Sequence, residues 1–210
     1  MRQQAARRSI TAATALAPGV AAVGFRVKSG WATAVLLAGP RTAPQVVDRR
    51  IAELSDPDEP EARQPFHAGL GRHEARGAKA VARLVRSVER FSRRSVAKLI
   101  ADYRASGHRI REVGIVVGST VDPATIGNEH IRAHAEEGRL FRRVLETAAR
   151  QCRLRSRVTV EKRLYAVAAA ALRIPAPRLK RRVAALGERV AGSWRSEDKA
   201  AALAAWLALP

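Results

Sequence analysis

Apolar residues alternate with other residues near the start of the chain. Val23, Phe25 and Val27 are interleaved with Gly24 and Arg26, the period of two expected of a β-strand. Lys28, Ser29 and Gly30 read as a tight turn, after which Trp31 to Leu37 resumes the extended pattern. Gly39 and Pro40 close that run, and residues 44–54 read as a third strand. Connections this short predict an antiparallel meander. Residues 55–73 break the pattern with Pro57, Pro60 and Pro65 and the acids Asp56, Asp58, Glu59 and Glu61, and read as a solvated loop. Then the period changes. Val81, Leu84, Val85, Val88 and Phe91 share one helical stripe that Val96, Leu99 and Ile100 extend, predicting a helix over 74–106 with Gly107 just past its end. Residues 112–118 form a nearly continuous apolar run bounded by glycines, the mark of a parallel strand buried on both faces. That strand is expected centrally, beside the strand from Val20. A second helix is predicted over 128–151, a fifth strand over 157–161, and an amphipathic helix rich in Ala and Leu from Ser196 onward.

This order predicts an α/β domain over residues 20–210, a mixed sheet of a three-strand meander plus two parallel strands with flanking helices. Residues 1–19 differ in character. They hold no acid, and Arg7 and Arg8 precede a run of small apolar residues. They are expected to be a disordered N-terminal extension. A twin-arginine-like export signal is the alternative, although its apolar stretch runs straight into the first strand.

Composition narrows the function classes. No apolar run approaches the roughly 18 residues of a membrane span, and a cytoplasmic location is expected. Cys152 is the single cysteine of the 210 residues, which excludes an internal disulfide and a multi-cysteine metal site. The 39 Lys and Arg against 19 Asp and Glu give a net charge of +20, which favours a polyanionic partner, nucleic acid above all. Residues 139–182 alone carry fourteen basic residues against Glu146 and Glu161. Within this stretch Arg139, Arg142, Arg143, Arg150, Lys180, Arg181 and Arg182 are the candidate phosphate contacts. Such density neutralises phosphates without reading sequence. Aromatic residues, at 4%, are too few for a base-stacking platform.

Four stretches carry a resemblance. They are Val23-Gly-Phe-Arg-Val-Lys-Ser-Gly, Val113-Gly-Ile-Val-Val-Gly-Ser, Val158-Thr-Val-Glu-Lys-Arg-Leu-Tyr, and Glu197-Asp-Lys-Ala-Ala-Ala-Leu-Ala-Ala-Trp-Leu. In order and spacing they resemble the ribonuclease H-like superfamily, in its RuvC/YqgF-type branch. The resemblance implies two-metal phosphodiester hydrolysis, in which carboxylates at one sheet edge hold Mg²⁺ or Mn²⁺. It also places acids on the first strand, near the end of the fourth, and at the start of the last helix. Here the first strand departs from the pattern: Arg26 stands where the family has Asp, and Lys28 replaces the following Gly. A guanidinium there repels a divalent cation.

Asp122, Glu161 and Asp198 are the remaining candidate catalytic and metal-binding acids, with Glu197 beside the last. The same residues also suit local roles: Asp122 opening an Asp-Pro turn, Glu161 pairing with an Arg, and Glu197 or Asp198 capping a helix. The function expected is thus nucleic-acid binding by a catalytically impaired relative of metal-dependent nucleases. An active Mg²⁺-dependent nuclease or resolvase and a protein-interaction module are the alternatives. Three minor features remain. His130 and His134 stand one helical turn apart with Glu137 behind, a spacing that can hold a transition metal but reads first as an exposed helix face. Residues 118–128 have the composition of an anion-binding loop without a phosphate-loop signature. Cys152 lies between Arg150 and Arg153, neighbours that would lower a thiol pKa, but reads as a half-buried helix cysteine.

Overall fold

The computed structural model describes residues 19–71 and 73–210, so the expectation for the N-terminal extension lies largely outside the described residues. The alternating segments form β1 (Val20–Lys28), β2 (Trp31–Ala38) and β3 (Gln45–Glu53), an antiparallel meander. Gly30 turns the chain between β1 and β2 at φ +83°, which a side chain would strain. Two 3-10 turns, at Pro60–Arg63 and His67–Gly69, lead into α1 (Glu74–Ala105). Then follow β4 (Arg109–Val117), α2 (Glu129–Gln151), β5 (Arg155–Val160), α3 (Glu161–Leu172), α4 (Ala176–Ala185) and α5 (Ser196–Ala208). The sheet runs β3-β2-β1-β4-β5, with β4 parallel to both β1 and β5. The apolar run of β4 therefore lies inside the sheet beside β1, as its sequence predicts.

The sheet separates two cores. On one face Val23, Phe25, Val27, Leu36 and Ile115 pack with Leu84, Val88 and Ile100 of α1 and Phe141 and Leu145 of α2. On the other, Ala22, Val35, Leu37 and Val116 meet Leu164, Leu179 and Val183, from α3 and α4, and all of α5 from Ala200 to Ala208. Two expectations are corrected here. Residues 55–73 are more than a solvated connector, because Ala62 packs into the first core and Phe66 and Ala68 pack against it, pinning the segment down. The C-terminal helix is not amphipathic either. It is buried around its circumference, packed on β1, β2 and β4 and flanked by α3 and α4.

Glycines explain why α5 comes so close to the sheet. A Cβ placed on Gly24 would lie 1.8 Å from the carbonyl oxygen of Ala201, and one on Gly114 would lie 2.3 Å from that of Ala204. Strand backbone and helix backbone thus touch directly, and the alanines of α5 are the facing half of the same fit. Gly24→Ala and Gly114→Ala should each cost about 3 kcal/mol or more by overpacking. Gly118→Ala, whose Cβ would meet open space, should cost little. Urea denaturation of the three variants checks both.

Candidate functional site

Because side chains alternate along β1, Gly24 and the next two residues on its face, Arg26 and Lys28, line up beneath α5 and past its N-terminus. The first turns of α3 and α5 project acids at the same end of the sheet. Arg26 is 8% exposed at its side chain. Its Nε and Nη2 donate to the two carboxylate oxygens of Glu161 at 2.9 and 2.6 Å, and Nη1 donates to the Val27 carbonyl. Lys28 Nζ lies 3.2 Å from Glu197 Oε1. Asp198, 6% exposed, accepts from the Arg195 backbone N–H at 2.7 Å and from Arg49 of β3 at 3.4 Å. Each acid stands in the first turn of a helix, where the positive end of the dipole also favours it.

Asp122 is placed apart from these pairs. Its Oδ1 accepts from the Ala124 N–H at 3.1 Å to cap the short turn at Pro123–Thr125, and Arg139 lies 3.7 Å away. The side chains that bring three ligating atoms within 4.8 Å of one another, among the described residues, are instead His67, His130 and His134. Asp122, Glu161 and Asp198 are thus held by local partners rather than gathered around one point. The residues present do not suit a pair of hard Mg²⁺ or Mn²⁺ ions, since a cation stands beside Glu161, Glu197 and Asp198 and Asp122 lies apart from them.

A cleft of about 490 Å³ opens where β1 and β4 end, lined by Arg26, Lys28, Ser119, Ile126, Ile131 and His134 among others. A second groove, about 560 Å³, follows the exposed edge of β5 between α2 and α3 and carries Arg142, Arg157 and Arg163.

The basic residues singled out by sequence divide between two places. Arg139, Arg142, Arg143 and Arg150 lie on α2, on one side of the sheet. Lys180, Arg181 and Arg182 lie on α4, which packs on the other. Arg182 is half-buried against the surface, donating to the Thr42 carbonyl with its guanidinium 4.7 Å above the Trp206 ring. Arg143 meets Glu89 at 3.5 Å. The loop at 118–128 spends its polar groups internally, with Asn128 Oδ1 capping α2 by accepting from the Ile131 N–H at 3.0 Å. The Cys152 thiol is pushed up by burial, which outweighs Arg104, so its basic surroundings do not activate it.

No protein-family model and no curated protein matches the chain. Solved structures do. The structure of Thermus thermophilus RuvC in complex with a Holliday junction substrate superposes with a TM-score of 0.52 at 11% identity, over 90% of this chain and 91% of that one. A second Thermus thermophilus RuvC structure gives 0.51 at 9% identity, over 89% and 92%. The fold is ribonuclease H-like, of the RuvC type. Superposition over nearly the whole of both chains bears out the resemblance carried by the four sequence motifs. The ends of β1 and β5 and the beginning of α5 meet at one end of the sheet, whereas Asp122, the acid that follows the fourth strand, stands apart from them. Cations from β1 and β3 now stand among the acids.

The Glu197 carboxyl is held at about 2, below the usual 4.5, by its own backbone N–H, the Ser196 hydroxyl and Lys28. A folded value below the unfolded one contributes stability that is present above the unfolded pKa and lost as pH falls through the folded one. Glu197→Gln should therefore lose stability relative to the parent at pH 6, and the gap should close as pH falls from about 4.5 toward 2. Urea denaturation of both proteins across that range reads the effect.

Proposed function

We propose that this protein binds nucleic acid through a RuvC-type ribonuclease H-like scaffold and does not cleave it. The observation that carries the reading is the two-pronged Arg26–Glu161 pair. Arg26 occupies the first-strand position where the resembled family has Asp, and its guanidinium takes up both oxygens of an acid that a metal would need. Lys28 with Glu197 and Arg49 with Asp198 extend the same substitution of internal cations for metal ions. Glu161→Ala would leave Arg26 buried without a counter-charge. A loss of about 3 kcal/mol is expected, near the low end for a broken buried pair because Glu161 is itself half exposed. In this reading Asp122, Glu161 and Asp198 hold structure, and neither Mg²⁺ nor Mn²⁺ takes part.

Binding is supported by the +20 charge and by the groove along β5. Arg142, Arg157 and Arg163 line that groove, and Arg139, Arg143 and Arg150 lie on the helix that forms one of its walls. One of the similar structures holds RuvC on a Holliday junction substrate, which makes branched DNA the first ligand to try. Lys180 and Arg181, on the far side of the sheet, are secondary contacts at most, and Arg182 is committed to packing.

Two measurements decide the matter. Affinity for duplex and branched DNA should fall steeply with salt, by about 0.9 in log affinity per log salt for each phosphate neutralised. Arg142→Ala with Arg163→Ala should reduce the magnitude of the slope by about two, whereas Lys180→Ala with Arg181→Ala should leave it nearly unchanged. Failure to bind duplex, branched or single-stranded DNA or RNA at about 50 mM salt would overturn the reading in favour of a protein-interaction module. Incubation of the same substrates with Mg²⁺ or Mn²⁺ should give no cleavage. Cleavage that disappears in Asp198→Asn would establish the active nuclease instead.

A further inference from the structure

The loop before α1 and the N-terminal half of α2 bring three histidines together. His130 and His134 stand one turn apart on α2, and His67 comes from the 3-10 turn at His67–Gly69. The three rings are mutual neighbours, with centroids 4.2 Å apart for His67 and His134, 4.7 Å for His130 and His134, and 4.8 Å for His67 and His130. A neutral imidazole carries one donor and one acceptor nitrogen, yet these rings meet by faces and edges and the Nε2 of His67 finds no partner among them.

Glu137 makes the cluster directional. Its side chain is fully buried, and Oε1 lies 2.8 Å from His67 Nδ1 and accepts from the His67 backbone N–H at 3.3 Å. Its second oxygen lies 4.0 Å from His134 Nδ1. With Nδ1 of His67 committed to the carboxylate, Nε2 points the other way, and it is buried without a hydrogen-bond partner. A carboxylate that fixes one nitrogen of an imidazole and frees the other is the arrangement that surrounds metal-bound histidine. Among the described residues the partners of Glu137 are histidines, with no Lys or Arg beside it. A dication on those rings would also supply the positive charge that a buried carboxylate needs.

We propose that His67, His130 and His134 bind one Zn²⁺ ion, with Glu137 as the outer partner that orients His67. Neutral nitrogen donors suit a borderline cation such as Zn²⁺ and not Mg²⁺ or Ca²⁺, which take oxygen ligands. The ligating atoms lie within 4.8 Å of one another. Zn–N bonds of about 2.0–2.1 Å in a tetrahedral site need a spacing of roughly 3.3 Å, which small ring rotations at the exposed His130 and His134 supply. Three protein ligands leave the fourth position to water, and two of the three side chains face solvent. The ion would fasten the loop that carries His67 across α2. His134 also lines the cleft beside Arg26 and Lys28, so the fastened loop would sit at the margin of that cleft. This site shares no residue with the carboxylates considered above and stands whether or not the protein binds nucleic acid.

The test uses the full chain without an affinity tag, dialysed against about 10 µM free Zn²⁺ and analysed for bound metal. One equivalent is expected. His130→Ala with His134→Ala, both at exposed positions, should weaken binding at least about 100-fold while leaving the circular dichroism spectrum unchanged, and Glu137→Gln should weaken it about 10- to 100-fold. Co²⁺ in place of Zn²⁺ should give the intense visible absorption of a four-coordinate site, lost in the double variant. Zn²⁺ should also slow hydrogen exchange in residues 64–71 of the parent and not of the double variant. Absence of a bound equivalent in the parent, or an equivalent retained at equal affinity by the double variant, would overturn the proposal.

Discussion

Direct contact between the backbone of α5 and the backbones of β1 and β4 is the constraint on which most of the structure rests. Gly24 and Gly114 remove the side chains that would hold a helix away, and Ala201 and Ala204 complete the approach from the other side. A helix seated this deep has no polar face to offer, so it must be covered in turn, and α3 and α4 provide that cover. Seating α5 over Gly24 also determines what lies at its start. The next residues on that face of β1 are Arg26 and Lys28, and they meet acids from the first turns of two helices. The charged site is therefore a continuation of the packing register.

Those charges compete for the same places that a metal would take. A carboxylate at a sheet edge holds a divalent cation only while no built-in cation is nearer. Arg26 is the stronger competitor, because a planar guanidinium satisfies both oxygens of Glu161 at once and never loses its charge. Lys28 and Arg49 act at single oxygens. Together they set a cation against each of Glu161, Glu197 and Asp198 and tie β1 and β3 to the starts of α3 and α5. The histidine cluster obeys the opposite logic: Glu137 holds His67 by one ring nitrogen, and the other nitrogen is left buried without a partner.

Much of the fold was legible in sequence because the relevant signals are local. The alternation at Val23, Phe25 and Val27, the unbroken apolar run of β4 and the helical stripe of α1 each specify an element from a few neighbouring residues. The C-terminal helix was misjudged because alanine is ambiguous: its run of small residues suits a weakly amphipathic surface helix and a buried helix equally, and only the glycines on distant strands decide between them. Arg26 announced itself by standing in an acid's place, and Glu161 suited pairing with an Arg, yet nothing in the sequence said that the Arg would be one 135 residues away. His130 and His134 were visible as an i, i+4 pair. His67 was not, since nothing in a proline-rich loop tells where a histidine will point. The division of the basic residues between two sides of the sheet was likewise hidden, because charge density along a chain says nothing about which layer each helix joins.

The layered arrangement of two cores has a consequence for how the chain reaches its folded state. The face that packs α1 and α2 is complete once the chain has been made as far as Leu154. The opposite face waits for α5, which meets β1 at Gly24 and Ala201, so its loop-closure entropy is met only when the C-terminal helix arrives. In the interval the molecule presents a half-finished sheet whose Ala22, Val35, Leu37 and Val116 are bare, a flat apolar surface suited to capture by chaperones or by another chain in the same state. The glycines that let α5 fit so closely also make that surface unusually smooth.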